Sequence, residues 1–185
     1  TWEALSKKGL PGGTENPVGK TAVAISHSKP NIVYALFEID SPALYRSEDF
    51  GETWTLQTRN HDIAERAPYY TRMAVSTSDP NELYFASVKF SISKDGGKTI
   101  DAGYKAGGDN HDIWVDPTNS DRIMVAHDGC ASMSLNHGKT FNRIVLPIAQ
   151  MYHVAVDNQV PYNVYGNRQD GYSYRGPSNT QARGI

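Results

Sequence analysis

Short apolar runs alternate with polar turns along this chain, and the alternation repeats. Ala22-Val23-Ala24-Ile25 leads through Pro30-Asn31 into Ile32-Val33-Tyr34-Ala35. The order returns as Met73-Ala74-Val75, Pro80-Asn81 and Leu83-Tyr84-Phe85. It returns again as Ile113-Trp114-Val115, Pro117 and Ile123-Met124-Val125, and finally as Val154-Ala155-Val156, Pro161 and Val164-Tyr165. Alternation with β-branched and aromatic enrichment predicts a pair of strands in each copy, with the Pro or Asn marking the turn between them. The first strands end at Ile25, Val75, Val115 and Val156, intervals of 50, 40 and 41 residues.

A second pattern is interleaved with the first. Ser47-Glu48-Asp49-Phe50-Gly51-Glu52-Thr53-Trp54 recurs as Ser93-Lys94-Asp95-Gly96-Gly97-Lys98-Thr99-Ile100 and as Ser134-Leu135-Asn136-His137-Gly138-Lys139-Thr140-Phe141. The third residues, Asp49, Asp95 and Asn136, sit 46 and 41 residues apart. The pattern S-x-D-x-G-x-T-aromatic reads as a hairpin tip. Ser and Asp side chains satisfy nearby backbone N–H groups, and Gly51, Gly97 and Gly138 supply the positive φ of a tight connection. Thr53 and Trp54 then begin the next strand, as do Thr99 in the second copy and Thr140 with Phe141 in the third. The first copy keeps every motif position, the second has Ile100 for the aromatic, and the third has Asn136 for Asp. These residues are expected to hold turns, not to catalyse.

Together the patterns give two strands, a third leading into the tip and a fourth leaving it. Four strands in roughly 40–50 residues make one blade of a β-propeller. The tip resembles the Asp-box (BNR) repeat of the β-propellers found in sialidases, xyloglucanases and the sortilin/VPS10 family. The expected fold is therefore all-β, with about four blades of four-stranded antiparallel sheet. The expected boundaries are 1–20 for a preceding or closing strand plus loop, 21–57 for the first blade, 58–105 for a long loop and the second blade, 106–147 for the third, and 148–185 for a partial blade. Thr1-Trp2-Glu3-Ala4-Leu5 matches the exit of a tip, as in Thr53-Trp54-Thr55-Leu56. Two expectations follow: the chain is an arc of a larger propeller, or its first strand closes a four-bladed ring.

Composition narrows the function classes. A net charge of −2 gives no basic footprint for nucleic acid. No apolar run approaches the ~18 residues of a membrane-spanning helix. The single cysteine, Cys130, leaves no internal disulfide and no cysteine zinc cluster. That usage fits a cytosolic protein or an exported bacterial one that does without disulfides.

Antiparallel topology places residues at the two mouths of a propeller channel. Starts of first strands and ends of second strands share one mouth with the connections between blades; the tips share the other. The first mouth collects the polar residues that could do chemistry. His111, Asp112, His127, Asp128, His153, Arg168, Gln169 and Asp170 are the candidate ligand-binding residues. Asp112, Asp128 and Asp170 are the candidate catalytic carboxylates. Converging His and carboxylate groups can bind a divalent metal, act in general acid–base work or hydrogen-bond a sugar. No ligand spacing of the HExxH kind occurs, so no metal set is assigned and no cofactor is expected. The long first interval places an insertion at the same mouth, within 58–70, carrying His61, Asp62, Glu65, Arg66, Tyr69 and Tyr70. Tyr69, Tyr70 and Tyr162 are candidates for stacking on carbohydrate, whereas Trp114 is assigned to packing between blades.

Beyond the tips, the stretch from Gly107 to Ser178 is similar to large secreted bacterial BNR-repeat proteins labelled glycosyl hydrolase or sortilin/VPS10-like. The segments that carry this are Gly108-Asp109-Asn110-His111-Asp112-Ile113-Trp114-Val115-Asp116-Pro117, His127-Asp128-Gly129, and Pro161 to Gly171. The resemblance implies an extracellular or periplasmic protein that binds a protein, peptide or carbohydrate ligand and adjoins the remaining blades of a larger propeller. The alternative it implies is a glycoside hydrolase using carboxylates at the His/Asp-rich mouth. The Arg-Ile-Pro segment of sialidases is absent; Arg143-Ile144-Val145 is the nearest sequence.

Overall fold

The computed structural model describes residues 9–14, 17–145, 151–169 and 172–179. It divides into two compact units, 1–145 and 146–185. The first unit holds three four-stranded sheets, each antiparallel and each taking its strands in chain order. Strands β1 (Thr21–Ile25), β2 (Val33–Phe37), β3 (Ala43–Ser47) and β4 (Thr55–Thr58) form the first blade. Strands β5 (Arg72–Val75), β6 (Leu83–Ala86), β7 (Phe90–Ser93) and β8 (Asp101–Tyr104) form the second. The third contains β9 (Asn110–Val115), β10 (Ile123–His127), β11 (Cys130–Ser134) and β12 (Asn142–Ile144). Strand β5 lies beside both β1 and β9, so the first strands of consecutive blades are neighbours, as in a propeller.

Alternation along the strands splits the apolar residues into two inter-blade cores. In β6, Leu83 and Phe85 join Tyr34, Leu36, Leu44 and Val75 between the first and second blades. Tyr84, the residue between them, faces the other way and packs with Phe90, Ile92, Ile123 and Val125 between the second and third. All four residues of β6 are buried because the middle blade has a neighbour on both faces. Each fully buried Leu or Phe contributes about 1.5–3 kcal/mol. Val23 and Ile25 point away from the first core and remain 63% and 61% exposed. Trp114, assigned to blade packing on sequence, faces away from Ile113 and Val115 and is half exposed.

The second unit is a three-stranded antiparallel sheet of β13 (Met151–Val156), β14 (Asn163–Arg168) and β15 (Ser173–Pro177). It shares one local rule with the three blades. The residue after the first strand donates its N–H to a carbonyl six positions on: Ser26 to Ile32, Ser76 to Glu82, Asp116 to Arg122 and Asp157 to Asn163. The side chains of Ser26, Asp116 and Asp157 also accept backbone N–H bonds from within the turn, Lys29, Thr118 and Gln159 respectively. Asp157 further accepts from Asn163 N and Nδ2 and from Tyr165 Oη, and these bonds, the Asn163 backbone first, lower its pKa to about 2.

At the opposite end of the blades the three tips share one hydrogen-bond set. Buried Ser47, Ser93 and Ser134 accept the amides of Gly51, Gly97 and Gly138 at 2.8, 2.9 and 2.9 Å. The third residue accepts the amide of Thr53, Thr99 or Thr140 at 2.8–2.9 Å. In the first two copies the threonine hydroxyl donates to the carboxylate. In the third, Asn136 Nδ2 donates to Thr140 Oγ1, so the amide keeps the geometry and reverses that bond. Trp54 closes its tip by donating Nε1–H to Gly51 O at 2.9 Å. Among the described residues no helix is long and apolar enough to cross a membrane.

Candidate functional site

The insertion after β4 builds one wall of the site. A short 3-10 turn, His61–Ile63, is capped by Asn60, whose side chain accepts from Asp62 N. Ile63, Ala64 and Ala67 drop into the first inter-blade core, and Thr71 Oγ1 donates to Ala67 O. Lys89, on the β6–β7 connection, bonds Asp62 at 2.9 Å and lies 3.7 Å from Glu65. Those carboxylates raise the Lys89 pKa, the Asp62 hydrogen bond most of all. With its apolar side anchored, the insertion presents Arg66, Tyr69 and Tyr70 at the mouth where β5 begins and β6 ends.

The second wall is the start of β9. Asn110 is fully buried, and its Nδ2 donates to the carbonyls of Ser87, Val88 and Gly107 at 3.1–3.3 Å. Its backbone N–H also reaches Ser87 O, and that of Asp109 reaches Val88 O. This clamp ties the third blade to the second and fixes the residues on either side, Asp109 and His111. Asp109 lies 3.4 Å from Arg66. His111 Nε2 meets Asp128 Oδ1 at 2.6 Å, and its ring packs edge-on against Tyr70 with centroids 4.9 Å apart. Tyr70 is buried; burial, then the Asp109 carboxylate, raises its pKa and keeps the phenol neutral.

The candidate residues thus separate. His111 and Asp128 meet at the mouth and are both exposed. Asp112 is exposed, with Oδ1 accepting from Ile113 N, and makes no contact with that pair among the bonds of the described residues. His127 belongs to the fold, 8% exposed. Gly129 N–H donates to its Nδ1 at 3.0 Å, which leaves the proton on Nε2 to meet Ser132 Oγ at 3.0 Å. The serine hydroxyl in turn donates to Ala106 O. Burial, then the Arg143 guanidinium, lowers the His127 pKa. Both ring nitrogens are occupied inside the blade, so His127 offers the mouth no ligand atom. In the second unit Arg168 pairs with Met151 and Asn167 with His153, which sets His153 and Arg168 at one end of that sheet, with Gln169 in the turn beyond. Asp170 lies outside the described residues.

Among the described residues no three His, Cys, Asp or Glu side chains come together as metal ligands. A cleft of about 510 Å3 beside the first blade, lined in part by Leu10, Tyr45, Asp40 and Arg59, is large enough for a small ligand but contains none of the histidines. Two groups escaped the sequence reading. Asp109 stood only within the Gly108-Asp109-Asn110 run, and Lys89 carried no signal of its own; the insertion that both of them meet was legible as the long first interval.

The fold has parallels among solved structures. A GH74 enzyme from Niastella koreensis matches over 85% of this chain and 28% of its own, at 18% identity and a TM-score of 0.56. The GH74 xyloglucanase from Xanthomonas campestris matches over 83% of this chain and 27% of its own, at 15% identity and a TM-score of 0.56. YCF48 from Cyanidioschyzon merolae matches over 86% of this chain and 53% of its own, at 15% identity and a TM-score of 0.49. No family model and no curated protein matches the sequence. The two GH74 matches show the β-propeller fold. The chain spans less than a third of the length of either of those enzymes.

Proposed function

We propose that this chain is a binding module of a secreted β-propeller, with its ligand face at the mouth formed by the insertion and the start of β9. The observation that carries the reading is the exposed His111–Asp128 pair, packed on Tyr70 and set beside Arg66 and Asp109. His111, Asp128 and Arg66 are open to solvent, while the buried Tyr70 ring supports both His111 and Arg66, an arrangement suited to recognition. The Asp boxes, by contrast, spend their polar atoms on their own turns.

The hydrolase alternative rests on the fold shared with GH74 enzymes. It calls for two carboxylates across a cleft, one of them held protonated by apolar surroundings. Asp112 is exposed, and Asp128 is 63% exposed and bonded to His111. Neither has the environment of a general acid, and the third candidate, Asp170, lies outside the described residues; the two described carboxylates favour binding over cleavage. The test is a screen of the whole chain against carbohydrate and peptide arrays, repeated with His111→Ala and Asp128→Asn, alongside an assay for new reducing ends. Binding lost in both variants, with no reducing ends formed, is the expected result. Cleavage abolished by Asp128→Asn would establish the hydrolase instead, and binding untouched by either substitution would remove this mouth as the site.

A further inference from the structure

We propose, resting on the mouth reading above, that Arg66, Tyr69 and Asp109 form a subsite for the carboxylate of an acidic sugar residue. Arg66 adopts φ +51° and Asp109 φ +54°, left-handed conformations that residues other than glycine rarely hold. They face each other across the boundary of two blades, and each is anchored. Tyr69 N–H and Tyr70 N–H return to Arg66 O, while Asp109 O accepts from Asp128 N. Phe50 and His137 take the same conformation inside the structural tips, so here it fixes where the two side chains stand and does no more.

The side chain of Arg66 is set accordingly. Its guanidinium carbon lies 5.1 Å from the Tyr69 ring centroid and 5.5 Å from that of Tyr70, so the rings orient the charge. Its side chain is 55% exposed, and its one ion pair among the described residues is the single 3.4 Å approach to Asp109. A carboxylate in good register takes two guanidinium N–H groups at about 2.7–2.9 Å. Arg46 shows what a structural arginine looks like in this fold. It is 13% exposed and bonds Glu48 at 2.9 Å and Asn81 at 2.7 Å. Arg66 is oriented like a structural residue and paired far more weakly, which leaves an edge of its fork for a second carboxylate.

The neighbours select a sugar acid. Tyr69 is 65% exposed beside the guanidinium, a surface for the C–H face of a pyranose. Asp109 and Asp128 accept hydroxyl hydrogens. A peptide recognised as an added strand would need an open sheet edge. This mouth is made of strand ends and turns. A uronate places one carboxylate, one apolar ring face and several hydroxyls on a single unit, matching the three kinds of group present.

The test uses calorimetric titration of the whole chain with tetragalacturonate, its methyl ester, cellotetraose and tetraglutamate at low salt. The expected result is that tetragalacturonate binds about tenfold or more tightly than its ester. Arg66→Gln should erase that preference while unfolding at an unchanged urea midpoint. Equal binding of acid and ester, or binding of cellotetraose alone, overturns the carboxylate subsite and leaves the mouth as a carbohydrate site. Tetraglutamate bound in preference to every sugar overturns the sugar assignment in favour of an acidic peptide. Binding of none of the four, together with binding to the arrays that survives His111→Ala and Asp128→Asn, overturns the mouth reading itself.

Discussion

At the scale of single residues, the third tip shows what an Asp box requires. Asn136 holds the same turn as Asp49 and Asp95 with a neutral amide, so the backbone bonds and not the charge define the motif. Charge then sets the pH dependence. The bonds from Thr53, its side chain first, lower the Asp49 pKa from 3.8 to about 2. A depressed pKa stabilises the fold above the unfolded value and loses that contribution as pH falls through the folded one. Asp49→Asn should therefore fold normally at pH 7 and show a shallower loss of stability between about pH 4 and 2. Trp54 fluorescence during acid titration reports it directly, since the indole closes that turn. An acid limb identical to wild type would remove Asp49 as a contributor.

At the scale of elements, most of the blade plan was legible and most of the site was not. Strand pairs, tips and the division of the two mouths follow from period-two alternation and antiparallel order, both of which are local in sequence. His127 and His111 look alike in sequence, each followed by Asp at the end or start of a strand. Only the paired register, with Ser132 opposite Val125 and Gly107 against the ring, turns His127 inward. The Arg66–Asp109 approach joins residues 43 apart through a loop whose course depends on Ile63 entering the core. That dependence is testable. Ile63 is fully buried, so Ile63→Ala should cost about 2–5 kcal/mol in urea unfolding and weaken ligand binding along with it. Stability lost with binding intact would mean that the insertion does not position the site.

For the whole molecule, the pH profile combines groups from both ends of the blades. His127 carries a pKa below its ordinary 6.5 because it is buried. Its contribution is present above the unfolded pKa and declines as pH falls below about 6.5, whereas the tip and turn aspartates act lower, between about pH 4 and 2. Acid unfolding should accordingly begin in a shallow phase near pH 6 and steepen below 4. His127→Gln, measured by urea midpoint against pH, should flatten the upper phase and leave the lower one. An upper phase unchanged in that variant would assign it to another group.

In our proposal the two ends of the blades divide the work, the tips holding the fold and the opposite mouth meeting a ligand. Urea unfolding of Ser93→Ala beside Asp128→Asn tests this most directly. Ser93 is buried and accepts the Gly97 amide at 2.9 Å, so its loss strands a buried donor and should cost about 1–3 kcal/mol. Asp128 is 63% exposed and its contact with His111 is exposed as well, so its neutralisation should shift stability by no more than about 1 kcal/mol. Equal destabilisation by the two substitutions would contradict the division and make the mouth pair part of the scaffold.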